Sequence, residues 1–122
     1  MSTDSSVVLT KKLSFSMASP VSKDLLVSRL KEFTKNIIGY LKDTDSCKLG
    51  HVKFISTTNG EDYLQLSVLD LEQTPKVSGF LKKTFEKIKI TINVIVFGVN
   101  KEDINRRLDK EITGLEKYFL DS

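Results

Sequence analysis

The sequence predicts an α+β fold, a two-layer open-faced sandwich in which two helices lie on one face of a mixed, mostly antiparallel sheet, in the order β-α-β-β-(β)-β-α. Three observations carry it. Lys87-Ile-Lys-Ile-Thr-Ile-Asn-Val-Ile-Val-Phe-Gly-Val99 is a long β-branched run that needs pairing and burial, so it reads as a central strand. Two separate stretches repeat apolar residues at spacings of three and four, the period of a helix with one buried face. Between them, two short alternating segments flank Asn59-Gly60, the residue pair of a hairpin turn.

Taken in order, the chain opens with residues 1–6, a polar start expected to be a disordered tail, and residues 7–122 are read as one domain. From Leu9, apolar Leu13, Phe15 and Met17 alternate with Lys12, Ser14 and Ser16, which is the period of a half-buried strand. Ser19-Pro20 then offers an N-cap and a proline at the first helical position, so a helix is expected from about residue 20 to 42, its buried stripe Leu26, Leu30, Phe33, Ile37 and Leu41. Asp43-Thr-Asp-Ser46 ends it. Leu49 to Ile55 and Tyr63 to Leu69 form the hairpin. Residues 70–86 fit neither period, because Thr74-Pro75 breaks the pattern, and a short strand or one helical turn is expected there. After the long strand, Asn100 caps a helix with Asp103 in its first turn, where the helix dipole favours acids, and Ile104, Leu108, Ile112, Leu115 and Phe119 make one stripe.

Composition narrows the function classes. A chain of 122 residues with 39% hydrophobic and 29% charged residues is long enough to bury a core without disulfides or a metal. No apolar stretch approaches the ~18 residues of a membrane span, and the first residues lack the basic-then-apolar layout of a secretory signal. A cytoplasmic location without membrane attachment is the expectation. Cys47 is the one cysteine and His51 the one histidine, so neither a disulfide nor a closed zinc site is expected, and no cofactor. Nineteen basic against sixteen acidic residues give +3 and a pI near 8.9, a mild excess that permits an anionic partner without demanding one.

Four chemical candidates stand against blander readings. Gly79-Phe-Leu-Lys-Lys-Thr84 superficially resembles a phosphate loop, but Lys82 stands where G-x-x-x-x-G-K-[ST] needs a glycine. His51 could be a general base or an open metal ligand, and a small enzyme would need a pocket near His51 and Asp70, yet local sequence places no carboxylate beside His51 and there is no second histidine. Cys47 beside Lys48 could be an activated thiol, or simply a small buried hydrophobe. Lys82, Lys83, Lys87 and Lys89, with Lys11, Lys12 and Lys53, could contact phosphates while Tyr63, Phe80 and Phe85 stack bases, although Glu61, Asp62 and Glu86 dilute that patch. No enzyme is expected.

The face of the sheet turned away from the helices carries the remaining reading. If Ile88, Ile90, Ile92 and Val94 face the helices, then Lys87, Lys89, Thr91 and Asn93 face away, joined by His51, Lys53, Gln65 and Ser67. That surface is polar and weakly basic, either merely solvated or a docking face whose partner-binding residues are His51, Lys53, Lys87 and Lys89. The alternation breaks at Ile95, Phe97 and Val99, where the strand end is apolar on both sides and needs cover from the loop leading into the last helix, from residues 74–85, or from a second chain.

Leu49-Gly-His-Val-Lys53, Tyr63-Leu-Gln-Leu-Ser-Val68 and Ile92-Asn-Val-Ile-Val-Phe-Gly-Val99 together resemble the C-terminal domain of CobW-type metallochaperone GTPases, over roughly residues 20–119. There a G-H-[IV]-K strand, a hairpin and an apolar strand ending in a Y/F-G-V turn precede a helix. The resemblance implies a sheet-and-helix module acting as an accessory or substrate-docking domain. The chain has no phosphate loop and no cysteine-based metal motif, so GTPase and metal-insertion activity are not carried over. The sequence is therefore read as a non-enzymatic binding domain that docks another protein or its own copy, with nucleic-acid binding as the alternative and a small enzyme as the third reading.

Overall fold

The computed structural model describes residues 6–44 and 47–120. Five strands and two helices follow in the order β1 (Ser6–Ser22), α1 (Lys23–Lys42), β2 (Lys48–Thr57), β3 (Tyr63–Val68), β4 (Lys76–Phe80), β5 (Thr84–Phe97) and α2 (Lys101–Leu120). They form one sheet in the order β1-β5-β2-β3-β4 in which every neighbouring pair is antiparallel, so the expected mixed sheet proves wholly antiparallel and its tentative extra strand is real. The long β-branched run becomes interior strand β5, paired on both sides by β1 and β2.

Both helices lie on one face. Leu26, Leu30, Phe33, Ile37 and Leu41 of α1 and Ile104, Leu108, Ile112, Leu115 and Phe119 of α2 are buried against inward strand residues such as Phe15, Phe54, Ile92 and Val94. The two helices also hold each other: Asn36 donates to Glu111 at 2.8 Å, Arg107 pairs with Glu111 at 3.2 Å, and the Arg29 guanidinium lies 3.7 Å from the Tyr118 ring centre. Asn100 caps α2, its side-chain oxygen accepting from the Asp103 amide at 3.1 Å.

One boundary differs from the sequence expectation. The Ser19-Pro20 signal does not start the helix: the strand runs on to Ser22, whose hydroxyl accepts from the Leu25 amide at 3.1 Å and is the true N-cap. Pro20 is tolerated because β1 is an edge strand and its pairing slips between Ser16 and Val21, where no ladder hydrogen bond needs a proline N–H. The expected disordered tail, residues 1–6, falls outside the described residues except for Ser6, which sits opposite Phe97.

Candidate functional site

The strand registers define the uncovered face row by row. Val8, Ile95 and His51 stand side by side on β1, β5 and β2; the next row is Thr10, Asn93, Lys53, Ser67 and Lys76; the next Lys12, Thr91, Ile55, Gln65 and Ser78. Thr10 donates to Asn93 across the strands at 2.9 Å, which shows both side chains on this face. Further along, Ser14, Lys89 and Thr57 share a row, Lys87 lies opposite Ser16, and Tyr63 faces Phe80 across β3 and β4.

The four residues proposed from sequence do not form one cluster. His51 and Lys53 are half-buried neighbours on β2, whereas Lys89 lies six residues along β5 from Ile95, about 20 Å from the His51 row, and Lys87 lies beyond it. Burial, with a smaller contribution from the Lys53 charge, pushes the His51 imidazole below its ordinary pKa. Two further lysines join them. Lys12 faces outward opposite Thr91, and Lys76 comes from β4, where the β3–β4 ladder sets it opposite Ser67. Lys11, by contrast, turns to the helices and pairs with Asp109 at 3.0 Å.

Among the described residues none of Lys12, Lys53, Lys76, Lys87 and Lys89 forms an ion pair. No carboxylate occupies an outward position in the rows given above. Apolar groups interrupt the basic surface: Ile55, Ile95 and Phe97 are half-buried, and Val8, Tyr63 and Phe80 are 56%, 54% and 76% exposed. The expectation that residues 74–85 cover the end of the long strand is not met, because β4 lies at the opposite edge of the sheet. Val99 alone of that apolar trio packs against the core.

The remaining chemical candidates lead elsewhere. Gly79 and Phe80 end β4, and the following lysines run into β5 rather than a helix, so no helix N-terminus is presented to a phosphate. Cys47 donates its thiol to the Leu41 carbonyl at 2.8 Å, and burial pushes its pKa up despite an opposing backbone hydrogen bond, the reverse of an activated thiolate. The Asp70 carboxylate accepts from the Glu72 amide at 2.9 Å, and no hydrogen bond joins it to His51 among the described residues. No group of three or more potential metal ligands occurs among the described residues, and none of their helices is long and apolar enough to cross a membrane.

The hairpin tip beside this face is fixed by Asp62. Its desolvation raises the carboxyl pKa, but hydrogen bonds from the Thr58 hydroxyl and amide, the Asn59 amide and the Thr57 hydroxyl outweigh that and hold it at about 2. A carboxyl lowered in the fold stabilises it at pH above the ordinary carboxylate range and loses that contribution as pH falls through about 2. Asp62→Ala is therefore expected to cost about 1–2 kcal/mol near neutral pH, as loss of a cap does, with most of the gap to the parent protein closed by about pH 2. Urea unfolding of both proteins along a pH series measures this, and a gap that stays constant down to acid pH would contradict it.

No known protein family matches the chain, and no curated protein matches it. Among solved structures it is similar to the Zn(II)-bound YjiA GTPase from E. coli and to a Zn(II)-bound triple mutant of YjiA GTPase, each at 13% identity and a TM-score of 0.40. Each match covers 84% of this chain and 29% of the other, so this chain spans less than a third of the GTPase's length. YjiA is a CobW-family GTPase, the family whose C-terminal domain the strand motifs resemble. At that identity and TM-score nothing about nucleotide, metal or partner passes to this chain.

Proposed function

We propose that this is a non-enzymatic accessory domain that works by binding, through the uncovered face of its sheet, another protein or a second copy of itself. The observation that carries the proposal is the composition of that face: Lys12, Lys48, Lys53, Lys76 and Lys89 stand outward in strand rows that hold no carboxylate, around half-buried Ile55, Ile95 and Phe97. A sheet face that meets only water ordinarily mixes charge signs and avoids grouped apolar side chains. An anionic partner supplies these lysines with the counter-charge that their rows of the face lack.

Nucleic-acid binding is the second reading, favoured by the same unpaired lysines and by the exposed rings of Tyr63 and Phe80. The two separate in a tagged pull-down from the native host near physiological salt, with and without nuclease, using the parent protein and a variant combining Val8→Glu with Lys53→Glu. Both substitutions fall on the outer face and leave the core untouched. The expected result is a stoichiometric protein, unaffected by nuclease, that the parent captures and the variant does not. Recovery of nucleic acid that nuclease and salt both remove would replace this reading with the second. Equal capture of the same partner by parent and variant would remove the face as the binding surface.

A further inference from the structure

Taking the open face as the binding surface, we infer that its occupant is an acidic amphipathic helix of another protein, laid diagonally so that its apolar stripe covers Ile95 and Ile55 while its carboxylates meet the lysines on either side.

The diagonal follows from the registers. Val8 and Ile95 lie at one corner, Ile55 in the middle of β2, and the Tyr63–Phe80 pair at the opposite corner. Lys12 and Lys89 border this line on the β1 side, Lys53 and Lys76 on the β4 side. Crossing five strands spaced about 4.8 Å apart and about 20 Å of strand length, the diagonal is roughly 28 Å. A helix of about 18 residues has that length at 1.5 Å per residue. Asn93 and Lys53 sit between the Ile95 and Ile55 rows, and the half-buried Lys53 stem supplies methylenes there while its ammonium reaches the border.

Charge selects among occupants. A neutral or basic helix would desolvate lysines without giving them partners, which costs more than its apolar contacts return. Glu61 and Asp62 stand only at the hairpin tip, and Asp62 is committed to its turn, so the acidic belt of the guest is repelled at one corner and attracted along both sides. A nucleic acid fits less well. Stacking needs rings among the phosphate-binding groups, but the middle of this face offers the methyls of Ile55 and Ile95, and no arginine stands there to grip a phosphate with two hydrogen bonds. A second copy has no free apolar helix to give, since the stripes of α1 and α2 are buried in its own core.

The test is an NMR titration of the full chain at about 0.15 M salt with three probes: a helix-forming peptide of about 18 residues with leucines at helical spacing between glutamates, the same peptide with lysines replacing the glutamates, and a single-stranded oligonucleotide of about 15 nucleotides. The expected result is that the glutamate peptide moves the methyl signals of Ile55 and Ile95, that the lysine peptide moves neither, and that Lys53→Glu with Lys76→Glu weakens glutamate-peptide binding at least about tenfold. Equal binding by the lysine peptide, or shifts confined to another surface, would overturn the inference. Movement of the face by the oligonucleotide alone would also overturn it while leaving the face as the binding surface. Silence of the face toward every probe would overturn the inference, and together with equal capture by the Val8→Glu, Lys53→Glu variant in the pull-down it would remove the face as the binding surface as well.

Discussion

Phe54→Ala is expected to remove about 3–5 kcal/mol of stability, enough to lower the thermal midpoint of a domain this size by roughly 10–20 °C. Phe54 is fully buried near the middle of β2, opposite Ile92 of β5 on one side and Leu66 of β3 on the other, and its ring meets Phe33 of α1 edge to face at 5.1 Å between centres. It therefore joins the interior strands to the first helix, and the neighbours paired by the ladders cannot collapse into the vacated volume. Lost transfer energy and the residual cavity add, and the edge-to-face ring contact goes with them. Set against a total stability of about 5–15 kcal/mol, this is a fifth or more of what holds a typical domain folded. Phe33→Leu keeps most of the volume and is expected to cost far less. Urea and thermal unfolding of both variants measure the difference. A loss under about 1 kcal/mol for Phe54→Ala would mean the side chain does not occupy the interior as described.

The same residue shows what the sequence made legible. Phe54 alternates with His51, Lys53 and Ile55 in a pattern any half-buried strand must have, and the helix stripes obey the same logic, so elements with a strong buried face were readable. Two features resisted for opposite reasons. Ser19-Pro20 is a strong local helix-start signal that a non-local event overrides: Val21 is buried and pairs with Phe85, which extends the strand and passes the cap to Ser22. β4 has every residue exposed, so it buries no apolar face to betray it, and it exists because β3 offers it a ladder. The outward identity of Lys53 and Lys89 was available from alternation alone. That they stand about 14 Å apart, and that Lys12 and Lys76 complete the basic borders, depends on strand order, which alternation does not encode.

Gly50→Ala is expected to cost about 1–3 kcal/mol, and Gly50→Val to lie at or above the upper end, with the damage centred on the binding face. Gly50 occupies the irregularity where the β2–β5 pairing slips between Leu49 and His51. A Cβ there would sit 2.8 Å from the Ile95 Cγ2 and 2.9 Å from the Ile95 carbonyl oxygen. A side-chain methyl can rotate away, but the carbonyl belongs to the interior strand and can retreat only if β2 and β5 separate. Gly79→Ala looks worse locally, since Gly79 has φ +94° and its added methyl would run into the Tyr63 carbonyl. Yet β4 is a five-residue edge strand that can peel away without opening the core, so its global cost is expected to be smaller. Gly50 has no such release, because the strand it would displace carries Ile90, Ile92 and Val94 in the buried core. The separation would also shift His51 and Ile95, the first row of the proposed docking diagonal. Gly50→Ala should therefore lower the unfolding midpoint, move the Ile95 methyl signals in the free protein and weaken the glutamate peptide, whereas Gly79→Ala should do little to Ile95. Unchanged stability and unchanged Ile95 signals in Gly50→Ala would show that the bulge does not depend on the missing side chain.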